Sequence, residues 1–487
     1  MSDKYKAIIG IEMHCEVSMT KTKVFSNSKN AYLEEPNVNI NAIDLGFPGI
    51  LPIVNKEAVK KALIASIILN CQQPEYLYFE RKNYYYPDLP KGYQLTQETK
   101  PCPIGINGSL KYICNDEEKV ALIDNIHLEE DAASLDHYQT FSTINYNRCG
   151  NPLLELVTYP CFHNSEEVLA FIETMISIYR YAGISEADSK KGHIRCDVNI
   201  SIMESDKNER DVNNYGTRVE IKNVCSLGGI RDAINYEIKR QIKLKETLEY
   251  DKMEQQTRRW DEEEAKTFFM RSKADAIDYK YFIEPNIPKY RITKELLEEI
   301  KQQIPRMPNE LLKYYQEELK LSTYDANVLI KDKKISDYYN EIVSMNLDPK
   351  EACSWVSTVI LGSMNKLDKT LEELGITSKM LGGVIKLVFE NKLSQNNAKK
   401  IIYRAIDEQK DPLKIIEEEH LMQIDDDELI IKLINASFDE FPDIVRQYKE
   451  GKEYVANYFV GQVMKKTKGQ ANPTKTLAII KEEIKRR

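Results

Sequence analysis

The opening of the chain alternates. Between residues 5 and 20, apolar Ile9, Ile11, Met13, Cys15 and Val17 are interleaved with Glu12, His14 and Glu16. A period of two predicts a strand with the three polar side chains on one face. Arg195 to Ser201 repeats the pattern, with Arg195, Asp197, Asn199 and Ser201 set against Cys196, Val198 and Ile200. Thr217 to Asn223 does so again, with Val219 and Ile221 against Arg218, Glu220 and Lys222. Ile126 to Asp131 concentrates one imidazole and three carboxylates. A strand continued through it puts His127, Glu129 and Asp131 on one face and Glu130 on the other, unless a bulge intervenes. Lys111 to Ala121 reads as a hairpin around Asn115-Asp116, and Tyr146 to Leu156 as a turn leading into an apolar strand. Solvated sheet faces favour mobile Lys, Glu and Thr, whereas Asp, Asn, His and Arg in short strands fit a binding surface.

Helical spacing takes over elsewhere. Glu57 to Asn70, Ser165 to Gly183 and Ser226 to Lys245 carry apolar positions three and four apart. Ser165 is the expected N-cap of the second helix and Gly183 its stop. Asn37 to Asn55 is rich in Asn, Pro and Gly and reads as an irregular loop. Thr257 to Lys273 holds a hairpin or loop, and Asp278 to Pro288 ends in prolines that mark a boundary. From Thr293, the expected cap of a helix through Ile304, the pattern is helical throughout, with an acidic hinge at Glu417 to Glu428. The expectation is an α+β chain in three domains: 1–292 bearing the sheet, 293–410 all-α, and 411–487 a small all-α tail.

Composition narrows the class. A chain of 487 residues with 42% apolar and 30% charged positions is ordinary globular protein of several domains. The apolar run Ala62 to Leu69 is far short of a bilayer span, and Met1 to Gly10 lacks the layout of a secretion signal, so a cytoplasmic protein is expected. Nine cysteines without any C-x-x-C pair argue for reduced thiols and against a thiolate zinc site. The net charge is −9, yet Gly451 to Arg487 carries nine Lys or Arg against three Glu, a basic end suited to a polyanion. Phe79 to Gln97 mixes Arg81, Lys82 and Lys91 with four tyrosines, a composition that serves either phosphate binding with base stacking or a packed strand pair. A phosphate-binding loop of the form G-x-x-x-x-G-K-S/T is absent from the sequence, as is a Ser-Ser-Lys amidase signature.

Long segments then resemble one family. IIGIEMHCEV, RKNYYYPDLPKGYQLTQ, IHLEEDA, NYNRCGNPLLELV, RCDVNIS, TRVEIKN, TRRWDE, MRSKADAIDYKYFIEPNIP, LGGVIKLV and FVGQVMKKTKGQANP occur in the order found in the B subunits of glutamyl/aspartyl-tRNA amidotransferases. The resemblance spans nearly the whole chain. It implies an N-terminal cradle domain of antiparallel sheet with flanking helices, then a helical domain, then a basic tail that contacts tRNA through Lys465, Lys466 and Lys468. It implies phosphorylation of the side-chain carboxylate of Glu-tRNA(Gln) or Asp-tRNA(Asn) by ATP, and displacement of the phosphate by ammonia. That ammonia comes through a channel from an amidase A subunit, and a small C subunit helps join the two. A scaffold subunit that only binds tRNA is the alternative.

The resemblance also implies site residues. Its metal site lies among Glu12, His14 and the Glu129-Glu130 pair, with Glu130 favoured, whereas strand alternation favours Glu129. Mg²⁺ prefers oxygen donors, so His14 is an unusual ligand for it. Lys82 and Arg195 are the expected phosphate contacts, and Asp197 and Glu220 are further candidates around the nucleotide. Lys82 in a salt bridge with a neighbouring acid is the bland alternative. Many family members hold zinc near the N-terminal loop with two C-x-x-C pairs. Here the matching positions read Ser26-Asn27-Ser28 and Asn41-Ala42-Ile43-Asp44, so zinc is not expected. Ala133-Ser134 stands where Gly-Lys is usual, which removes a lysine contact.

Overall fold

The computed structural model describes residues 4–487 except 33–34, 225, 273–277, 420–426 and 468–469. Most of the expected acidic hinge therefore lies outside the described residues. The chain divides into two compact units, Met1–Met307 and Pro308–Arg487. The helix capped by Thr293, Lys294–Gln302, falls in the first of them, where it packs on the helix Lys56–Ile68.

The first unit is built on one eight-stranded sheet. Its centre is β1, Tyr5–Glu16. Two short strands follow, β2 (Glu80–Asn83) and β3 (Tyr93–Thr96). Then come β4 (Gly105–Cys114), β5 (Glu117–Glu130), β6 (Pro152–Thr158) and β7 (Ile194–Glu204). The last long strands are β8 (Val219–Val224), β9 (Gln256–Asp261) and β10 (Lys266–Ser272). The large sheet runs β10-β9-β8-β7-β1-β6-β5-β4. Every pair is antiparallel except β8 and β9, which are parallel. The connection between those two is the helix α3 below, as a parallel pair requires a crossover.

One face of this sheet is greasy because its strands alternate. Ile9, Ile11, Met13 and Cys15 of β1, Leu154 and Leu156 of β6, and Val198 and Ile200 of β7 are fully or almost fully buried in a single core. Three helices close that core: α1 (Lys56–Ile68), α2 (Ser165–Tyr181) and α3 (Leu227–Glu246). Asn55 caps α1 by accepting from Glu57 N and Ala58 N. The cap of α2 is Asn164, one residue before the expected Ser165: Asn164 is extended and its Oδ1 accepts from Glu167 N at 2.9 Å. Ser165 is instead inside the first turn, fully buried, with its hydroxyl 3.3 Å from Asn235 Oδ1 of α3.

A smaller sheet pairs β2 with β3 and with β11, Phe282–Ile283. Its hold on Lys82 comes through the neighbouring residue. Arg81 meets the buried carboxylate of Glu284 at 2.5 Å and stacks over the Tyr93 ring at 4.2 Å. The second unit is all helix. Its last part has its own core, in which α4 (Asp427–Glu440), α5 (Ala456–Lys466) and α6 (Pro473–Arg486) bury Ile430, Ile434, Phe438, Phe459, Val463 and Ile480. Among the described residues, no helix is long and apolar enough to cross a membrane.

The Arg81–Glu284 pair gives a pH-dependent prediction. Burial opposes the Glu284 charge, but the Arg81 hydrogen bond and Asn286 N–H hold its carboxyl below the ordinary 4.5. The stability it contributes is complete above that value and is lost as pH falls through the depressed one. Glu284→Gln is expected to lower unfolding free energy by about 2–3 kcal/mol at pH 7, because it strands a half-buried guanidinium. Chemical denaturation at a series of pH values should show the deficit shrinking below about pH 4.5.

Candidate active site

Register, rather than any single motif, assembles the site. On the face opposite the core, His127 of β5 lies across from Glu155 of β6, Glu155 across from His14 of β1, and His14 across from Arg195 of β7. One residue pair further along β1, Glu12 lies across from Asp197, and Asn199 of β7 lies across from Glu220 of β8. A bulge between Cys196 and Val198 loosens the β7–β8 ladder beside Asp197.

Glu155 is the hub. Its Oε2 is 3.2 Å from His14 Nε2 and 3.3 Å from His127 Nε2. Glu129 approaches the His127 imidazole at 3.7 Å and accepts from Thr96 Oγ1 at 3.0 Å. His14, Glu129 and Glu155 each place a ligand atom within 4.8 Å of the others. Burial works against charge on both histidines, yet Glu155 raises both above the ordinary 6.5, His127 to about 10. Burial alone would raise Glu155; the two imidazoles hold it well below the ordinary carboxylate range. The His127 ring is oriented from behind: Asn125 Nδ2 donates to Asp124, which leaves Asn125 Oδ1 to face His127 Nδ1 at 2.8 Å. His127 Nε2 is buried between the carboxylates of Glu155 and Glu129.

A second acidic group stands beside the first. Glu12, Asp197 and Glu220 also place ligand atoms within 4.8 Å of one another. Asn199 donates to Glu12 at 2.9 Å and Thr257 to Glu220 at 2.7 Å. Lys222 Nζ lies 2.7 Å from Asp197 and 3.0 Å from Glu220. Burial disfavours that ammonium, but Asp197 and Glu220 together hold its pKa above the ordinary value. Burial and then Glu155 push the Glu12 carboxyl up. A cleft of about 350 Å³ opens over this face, lined by Glu12, Lys82, Glu98, Glu155, Asn199, Arg218, Glu220, Lys222 and Arg271 among others. Lys82 enters it from β2, paired with Glu98 at 2.7 Å and lying over the Tyr279 ring.

The structure thus brings Glu12, His14, Lys82, Glu129, Asp197 and Glu220 to one face. One expected residue faces elsewhere, and another is already paired. Glu130 points away, with Oε2 2.5 Å from Lys91 Nζ and Oε1 accepting from Leu95 N at 2.9 Å. Arg195 shares the His14 face but is tied to buried Asp131 at 2.8 Å, beside Arg148 at 3.2 Å from the same oxygen. Glu155 and Arg271 were not singled out from the sequence, whereas Arg218 and Lys222 were placed on a polar strand face but given no role. The available signals were a lone glutamate amid leucines in Pro152–Thr158 and the alternation of Thr217 to Asn223. In the last helices Lys465 and Lys466 are both exposed, and Lys466 also bonds Glu440 at 2.9 Å. Lys468 lies outside the described residues.

The donors fit a divalent cation: carboxylate oxygens from separate strands, one imidazole, and a braced second imidazole behind them. A sheet face that combines such a set with lysines and arginines is suited to holding a cation together with an anionic ligand. Comparison with known proteins gives the family. The model described as "GatB/GatE catalytic domain" matches residues 7–298, and that described as "GatB domain" matches residues 337–484. Curated relatives named as the B subunit of aspartyl/glutamyl-tRNA(Asn/Gln) amidotransferase include one from Oceanobacillus iheyensis, 39% identical over 484 residues. Others come from Geobacillus thermodenitrificans, 39% identical over 486 residues, and Persephonella marina, 37% identical over 483. Each alignment covers 99% of this chain and 100% of the relative. The chain belongs to the GatB family.

The two glutamates are expected to behave differently. In calorimetric titration of the full chain with Mn²⁺, Glu129→Gln or Glu155→Gln should weaken binding by about tenfold or more. Glu130→Gln should leave affinity within about threefold while lowering thermal stability, because it leaves buried Lys91 without its counter-charge.

Proposed function

We propose that this chain is the activating and amide-forming subunit of a tRNA-dependent amidotransferase. Its substrate is the side-chain carboxylate of Glu-tRNA(Gln) or Asp-tRNA(Asn). ATP supplies the phosphoryl group, and ammonia then displaces the phosphate to leave the amide. The observation that carries this reading is the meeting of Glu155 from one acidic cluster and Glu12 and Glu220 from the other with Lys82, Lys222 and Arg271 in one cleft, on a chain whose relatives are named as amidotransferase B subunits.

Phosphoryl transfer from ATP to a carboxylate is mainly a problem of alignment and charge. Without a glycine-rich phosphate loop, the charge must be met by side chains. Lys82 and Lys222 are suited to this, since each is already desolvated beside carboxylates that a triphosphate can replace. Arg218 and Arg271 stand at the same cleft to receive further phosphate oxygens. His14, Glu129 and Glu155 would hold Mg²⁺, with Glu12, Asp197 and Glu220 as a second set. Such an ion, when bound, supplies charge neutralisation and in-line alignment. His127 and Asn125 keep Glu155 and Glu129 in position.

Other subunits complete the enzyme in this reading. An amidase A subunit releases ammonia from glutamine, and a small C subunit joins the assembly. The exposed cations Lys465 and Lys466 of the final helical module, together with Lys468, which lies outside the described residues, contact tRNA phosphates. The protein works in the cytoplasm.

Assembled enzyme given ATP and Glu-tRNA(Gln), without an amide donor, should release ADP only when the aminoacyl-tRNA is present. ADP release that ignores Glu-tRNA would sink the mechanism. Lys222→Met should cut that release by about a hundredfold and leave glutamine hydrolysis by the partner intact. Transamidation that survived in the Glu12 and Lys222 variants would support a scaffold role instead. For the tail, deletion is a poor test, because α5 and α6 bury Phe438 and Ile434 of α4. Lys465→Ala with Lys485→Ala should instead weaken tRNA binding severalfold and flatten its salt dependence by about one unit of slope per lost phosphate contact.

A further inference from the structure

The described residues between 23 and 55 form an irregular segment that a buried ion pair fastens. Lys23 is fully buried, an unusual place for a lysine. Its ammonium donates to Asn39 O at 2.8 Å and Cys149 O at 2.6 Å, and lies 3.6 Å from Asp44 Oδ2. Asp44 is clasped in turn. Ser26 donates to its Oδ1 and Ser28 to its Oδ2, each at 2.6 Å, and Asn41 N–H adds a bond to Oδ2 at 3.0 Å. Gly150, at φ +84°, packs against both partners: a Cβ there would lie 3.1 Å from Asp44 Oδ1 and 3.5 Å from Lys23 Cδ.

The resemblance implies zinc-binding cysteines at these positions in many family members, and the residues present here do not fit zinc. Ser26, Ser28 and Asn41 offer no thiolate. The Asp44 oxygens are already engaged by two hydroxyls and an amide. A buried ammonium stands against the same carboxylate and would repel a second cation. The polar groups satisfy one another, as a buried network must if it is to stabilise.

We propose that Lys23 and Asp44, with Ser26 and Ser28, form a metal-free ionic staple that positions Glu130 and the end of β5. The route is physical. The loop held by Asp44 passes over Lys91 at Gly46, where a Cβ would come within 2.6 Å of Lys91 Cγ. Only the bare backbone at φ +65° allows that approach. Lys91 is thereby pressed onto Glu130, and Glu130 accepts from Leu95 N of β3. Glu129, the next residue on β5, then faces the acidic cluster. Lys23 and Asp44 touch no reacting group; they are positioning residues.

Hydrogen exchange of the full chain, read at the Leu95 amide, tests the route independently of catalysis. Asp44→Asn leaves the Lys23 charge buried alone and should speed Leu95 exchange by tenfold or more. Lys23→Met with Asp44→Asn removes both charges and should recover much of the protection, since no ion is left unpaired. Ser28→Ala, a milder change, should give a smaller acceleration in the same amide. Metal analysis of protein purified from zinc-supplemented medium should find far less than one zinc per chain, and a chelator should leave the melting temperature unchanged. One zinc per chain, or a melting temperature that falls with chelator, overturns the metal-free staple. Wild-type exchange at Leu95 in Asp44→Asn overturns the positioning role.

Discussion

The contact on which the site depends is the one between Glu155 and two imidazoles. Three neighbouring strands must be in register for His127, Glu155 and His14 to form a row. A slip of one residue in any of them would send a charged group into the apolar core and an aliphatic group into the cleft. The core therefore enforces the site: the leucines flanking Glu155 are buried in it, and they fix the face on which the carboxylate emerges. Electrostatics then sharpens what packing has set. The carboxylate stays ionised in a buried position because two rings compensate it, and each ring gains charge from the same contact.

Counter-charge recurs around this centre at three depths. Lys222 neutralises Asp197 and Glu220 within the cleft, Lys91 neutralises Glu130 behind it, and Lys23 neutralises Asp44 in the loop beyond. The roles differ with accessibility. Lys222 lines the cleft, where the proposed reaction has it exchange its carboxylate partners for a phosphate. Lys23 is fully buried and Lys91 is held against Glu130 with its side chain one-tenth exposed, so they serve position. Removing one member of such a buried pair costs more than removing both, which is why these lysines constrain the loop and β5 together.

Much of this was legible in the sequence, and the limits have physical causes. Alternation in residues 5–20, 195–201 and 217–223 gave the polar faces correctly, because period two is a local property. Alternation also favoured Glu129 over Glu130, as the structure has them. Glu155 escaped notice since its importance lies in what stands across the sheet, and register between distant strands is not written in either one. The parallel pairing of β8 with β9 is non-local in the same way. The capping of α2 by Asn164 shows the opposite case, where two adjacent residues both qualify locally. Burial against α3 decided between them by drawing the Ser165 hydroxyl to Asn235.

Carboxylate activation by ATP is the central claim, and the fate of one oxygen atom tests it most directly. Glu-tRNA(Gln) carrying oxygen-18 in its side-chain carboxylate is converted by the assembled enzyme with ATP and glutamine, and the released inorganic phosphate is analysed by mass spectrometry. Phosphorylation of the carboxylate transfers one labelled oxygen to phosphate for each amide formed. Phosphate free of label, with amide formed at the normal rate, would contradict it.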